Sequence, residues 1–88
     1  MGAEKLAAAL LATVAPGDAL MRRLIDVGEP LAAIIDLMEK AATERAGVSA
    51  ELLAEVEQMV RDRDFDEVDA RSVSEDLATL RRHAVSSI

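Results

Sequence analysis

Apolar side chains recur along this chain at three- and four-residue intervals, and nowhere do they alternate with polar ones over the length of a strand. Leu6, Leu10 and Val14 form one stripe of a helix from about Ala3 to Val14, which must stop ahead of Pro16. Asp18 stands where a second helix needs an N-cap, and Leu20, Met21, Leu24 and Ile25 make its apolar face, with Arg22, Arg23 and Asp26 pointing away. Gly28 closes that helix. Pro30 suits the first turn of a third helix running to about Ala46, ended by Gly47. So short a turn implies that helices two and three form an antiparallel pair. In the third helix the pattern buries Leu31, Ile34, Ile35, Met38 and Ala42, with Leu37 at the margin.

Ser49 is the next N-cap, with Glu51 in the first turn where the helix dipole favours an anion. The fourth helix, to about Arg63, buries Leu52, Leu53, Val56, Met59 and Val60 and shows Glu51, Glu55, Gln58 and Asp62 on the opposite stripe. The last helix has two candidate starts, Asp66, or Ser72 with Glu75 in a capping box. Val73, Leu77, Leu80 and Ala84 are its stripe, and Arg81, Arg82 and His83 lie near the C-terminal end of its dipole. The expected fold class is all-α, a small antiparallel bundle of about five helices in a single domain over residues 1–88.

Composition agrees: 17 of the 88 residues are alanine, and Tyr and Trp are absent. Without Cys there is neither a disulfide framework nor a thiolate zinc site, so packing must hold the chain together. The run Leu6–Ala15 lacks the basic flank of a signal peptide and is about half the length of a membrane span, which points to a cytoplasmic protein without a membrane partner. A net charge of −7 repels phosphate backbones, so nucleic acid is not an expected ligand.

No catalytic constellation stands out. The one histidine, His83, lies beside two arginines near the chain end, and the four scattered glycines build no phosphate cradle. Asp62, Asp64 and Asp66 open like a calcium loop, but Glu67 stands where the sharp turn needs glycine and Val73 where a bidentate Glu belongs. Ser49 opens a helix as the attachment serine of acyl carrier proteins does, yet Val48 and Ala50 replace the Asp and Leu of that motif. Catalytic, cofactor and metal residues are therefore none. Met21, Met38 and Met59 read as core filling, and the pairs Arg22–Arg23 and Arg81–Arg82 as partners of nearby acids.

Charge placement is the remaining signal. From Glu51 to Asp69 there are eight acids against two arginines, six of the seven net negative charges. Such a stretch gives a field complementary to a basic partner. The expected contact residues are Glu51, Glu55, Asp62, Asp64, Asp66, Glu67 and Asp69.

The segment Leu24-Ile25-Asp26-Val27-Gly28-Glu29-Pro30 followed by Leu31 to Met38 resembles the signature of the MafI family of immunity proteins. In that signature a hydrophobic residue, Ile-Asp, a variable residue and Gly-Glu lead into an alanine-containing amphipathic helix. The likeness continues through Val48, Ser49 and Leu52 and departs at Leu31, where glycine is expected, and at Ile35, where an acid is common. It implies a small helical bacterial protein that binds a cognate toxin, with a nuclease among the candidates, and performs no reaction itself. Read from local structure alone, Gly28 is a helix terminus and Glu29 caps or favours the third helix. The competing expectation is a helical self-association or scaffold module, a homodimer burying stripe residues against a second copy.

Overall fold

Four of the described helices begin where a side chain or a proline satisfies the first turn, and three end where the backbone reverses through a left-handed residue. The computed structural model describes the backbone of residues 1–86 and the side chains of residues 1–83. Its helices are α1 (Ala3–Val14), α2 (Ala19–Asp26), α3 (Pro30–Glu44), α4 (Ala50–Arg61) and α5 (Glu67–Ser86), and no strand occurs among the described residues. Asp18 caps α2 by accepting the Met21 N–H at 3.1 Å, and the Ser49 hydroxyl caps α4 by accepting the Leu52 N–H at 3.2 Å. The two candidate starts for the last helix resolve to Asp66, whose carboxylate accepts the Asp69 N–H at 2.8 Å. Ser72 and Glu75 lie inside α5, so they form no capping box. Phe65, just ahead of Asp66, is only 7% exposed, and burying the chain's one aromatic ring fixes the start upstream of Ser72.

Three helices end on the same device. After α2 the Glu29 N–H reaches back to the Leu24 carbonyl and the Gly28 N–H to Ile25, with Gly28 at φ 84°. The pairs Ala46 to Ala41 and Arg45 to Ala42 repeat this after α3, and Asp64 to Met59 and Arg63 to Val60 after α4. All three are Schellman turns. The left-handed residue is Arg45 (φ 55°) in the second and Arg63 (φ 59°) in the third. Gly47 therefore does not end the third helix; the reversal comes two residues earlier, on an arginine.

α1 packs on α3, α3 on α5, α5 on α4 and α4 on α1, closing a ring of four helices, while short α2 lies against α1 and α3. A helix with neighbours on three sides buries a wider arc than one stripe. That is why Leu37 is fully enclosed together with Ala33, Ile34, Met38 and Ala41, while Leu31, Ile35 and Ala42 are partly buried at the edges. Ala7, Ala33 and Ala41, all enclosed, let the α1 and α3 backbones approach closely. Met21, Met38 and Met59 fill the core, and Val73, Leu77 and Leu80 bring α5 into it, whereas Ala84 lies outside the described side chains. Leu20 does not join the apolar face of α2: it is 64% exposed, because α2 meets the bundle along Met21 and Ile25 and turns Leu20 outward. No polar or charged side chain is buried among the described residues, and no described helix is long and apolar enough to cross a membrane.

Candidate functional site

The turn between α2 and α3, the start of α1 and the end of α4 surround a cleft of about 660 Å³. Its position follows from local chemistry. The Schellman turn at Gly28 swings Glu29 and Pro30 to its edge, and the turn at Arg63 brings Asp62 and Asp64 to it from α4. Four carboxylates line it, those of Glu29, Glu55, Asp62 and Asp64, beside the apolar surfaces of Pro30, Leu31 and Met59. Among the described residues no Lys, Arg or His side chain lines it. Its one positive group is the α-ammonium of Met1, 3.4 Å from the Glu55 carboxylate.

Of the seven acids expected to meet a partner, Glu55, Asp62 and Asp64 share this cleft. Glu55 is half-buried on α4, and Asp62 accepts a hydrogen bond from Gln58 Nε2 at 2.9 Å, one turn back, which orients its carboxylate. Glu51 and Glu67 are exposed in the first turns of α4 and α5, outside the lining. Asp66 and Asp69 serve the start of α5: partial desolvation and then the Asp66 charge push the Asp69 carboxyl above its ordinary value. Among the described residues no three acids or histidines gather where a metal ion could be held.

Glu29 was read from the sequence as a cap or dipole residue. The cap is not made: Glu29 occupies the N-cap position of α3 without a capping hydrogen bond from its side chain, and Pro30 opens the helix, which leaves Glu29 as an anion at the positive end of the α3 dipole. Among the described residues no ion pair engages Glu29, which stands exposed at the cleft. Sequence spacing reveals Glu55, Gln58 and Asp62 as neighbours on one helix face, but only tertiary packing sets Glu29 opposite them.

One base of the acid-rich stretch, Arg61, faces a different groove. Arg61 pairs with Glu57 at 3.3 Å, and Arg81 from α5 hydrogen-bonds the same carboxylate at 2.6 Å. The Arg81 hydrogen bond, helped by the charges of Arg81 and Arg61 and opposed by partial desolvation, holds Glu57 below its ordinary value. These three residues line a separate groove between α4 and α5. Of the two basic pairs, Arg81 thus finds its acid. No ion pair among the described residues uses Arg22 or Arg23, which stay exposed on α2 although Asp26 follows one turn on.

Comparison with protein-family profiles, with curated proteins and with solved structures gives no match to this chain.

Proposed function

We propose that this protein is an inhibitor of the immunity type, which binds a basic protein toxin encoded beside it and covers cationic surface the toxin needs. A nuclease, whose basic groups grip a phosphate backbone, fits that description. The observation that carries the reading is a convergence. The Gly28-Glu29-Pro30 turn, on which the resemblance to MafI immunity proteins rests, borders the same cleft as Glu55, Asp62 and Asp64 from the acid-rich stretch. Two features picked out of the sequence for unrelated reasons thus meet at one place. Glu51, Asp66, Glu67 and Asp69 extend the negative charge around them in the chain, raising the rate at which a cationic partner arrives. The setting this implies is the bacterial cytoplasm.

The test is coexpression with the product of the adjacent reading frame. Growth should be restored and the two proteins should purify together; reversing the seven acids to lysine should abolish both. A toxin unaffected by the wild-type chain removes the function, and rescue that survives the reversal removes the acidic contact surface.

A self-association module is the second reading, and one observation favours it. The stripe residues are already enclosed within the chain, but Leu20 on α2 and Val27 at its C-cap, seven residues apart, are 64% and 63% exposed. Light scattering separates the two readings. A mass that stays monomeric at every concentration leaves the toxin-binding reading, whereas a tight dimer dispersed by Leu20→Lys and Val27→Lys supports self-association.

A further inference from the structure

We infer that the cleft beside the Gly28 turn takes an arginine side chain of a protein partner, its stem lying against Pro30, Leu31 and Met59 and its guanidinium drawn by the negative charge of Glu29, Glu55, Asp62 and Asp64 along the lining. The inference rests on the proposed toxin-binding role and deepens it by naming the anchor.

Three features select this occupant. The cleft combines an apolar floor with carboxylates and contains no cationic side chain, so its complement is a long side chain that is aliphatic along its length and positive at its tip. A bare metal ion fits poorly, because the carboxylates do not converge into an oxygen cage. Arginine fits better than lysine: its planar, weakly hydrated fork of five donors spans separate acceptors, while an ammonium is a strongly hydrated point charge.

The acids themselves are arranged for an incoming group. Glu29 makes no capping bond at a position where a side chain commonly caps, and Asp62 is held in orientation by Gln58. Exposed apolar surface adjoins them, with Met1 in the lining and Val27 next to Gly28. A buried basic anchor surrounded by apolar contact is the usual anatomy of a binding hot spot.

The experiment titrates ¹⁵N-labelled full-length protein with n-butylguanidinium chloride at constant ionic strength, with n-butylammonium chloride and sodium chloride as references. Shifts should concentrate at Gly28, Glu29, Asp62, Asp64 and the Gln58 side-chain amide, saturate, and exceed those from n-butylammonium. Glu29→Gln with Asp64→Asn should weaken the apparent affinity about fivefold or more, and Asp36→Asn with Glu75→Gln, both exposed and outside the cleft, should leave it unchanged. Equal response to the two organic cations overturns the choice of arginine. Shifts spread over every acid from Glu51 to Asp69, or unaltered by Glu29→Gln with Asp64→Asn, overturn the site. Failure of the function is separable: a protein that binds the probe as described yet fails to capture the adjacent toxin loses the immunity role, while one that captures toxin without a localised probe response loses only this anchor.

Discussion

α3 and the turn from Asp62 to Val68 satisfy opposite demands within one small chain. α3 sends five enclosed side chains into the core, two of them alanines, and its neighbours on three sides leave no slack. The turn buries one side chain, Phe65, and exposes the six around it, Val68 to the extent of 77%. In α3 the identity of a residue is set by volume; in the turn it is set by backbone conformation, capping and charge. Stability should therefore be lost in the first region, and interaction altered in the second.

The sharpest test of that contrast is Leu37→Ala, which should cost about 2–5 kcal/mol in urea unfolding, a large share of the total stability of a domain this size. A loss below about 1 kcal/mol would mean that the α3 surroundings collapse onto the cavity. Phe65→Ala should cost about 3 kcal/mol and act locally, stripping amide protection from Asp66 to Ala70 before α3 opens. Equal loss of protection throughout α3 would erase the distinction between the regions. Replacing Arg45 or Arg63 by glycine should add about 1 kcal/mol each, since both hold a left-handed conformation that glycine adopts freely, and Gly28→Ala should subtract about as much; thermal melts give the signs.

The smallest effects concern pH. Desolvation, then the charges of Glu39 and Glu75, push Asp76 above its ordinary 3.8, so its folded form binds a proton more readily than its unfolded form. The ionised carboxylate weakens the fold above that raised value, and the penalty vanishes as pH falls past 3.8. Asp76→Asn should accordingly raise the melting temperature slightly at neutral pH and leave it unchanged in acid. Glu57 has the opposite sign. Its lowered value gives stability above 4.5 that is lost as pH falls through the folded-state value, so Glu57→Gln should lower the melting temperature at neutral pH, with the difference closing in acid.

Local grammar was legible in the chain because it depends on a few adjacent residues. Ala3–Val14, the caps at Asp18 and Ser49, and the reversal at Gly28 all follow from proline, short polar side chains and glycine where expected. The reversals at Arg45 and Arg63 have no such mark, since the Schellman hydrogen bonds hold an arginine in a conformation that residue type does not favour. Leu37 and Leu20 were misplaced for a related reason: a single-stripe reading assumes one neighbour per helix, whereas α3 has three and short α2 rests on a narrow line. The cleft was half legible. Helical spacing joined Glu55 to Asp62, but Glu29 is 26 residues from Glu55 in sequence and reaches the same cleft only through packing of the ring.

Because Phe65 is the one buried side chain of the α4–α5 turn, the exposed side chains of Asp62, Asp64, Glu67 and Val68 contribute little to packing. Substitution at those four positions should carry little folding penalty, so the charge of this surface can be changed while the architecture beneath stays constant. One aromatic ring thereby uncouples the hold of the turn on the core from the chemistry the turn shows to solvent.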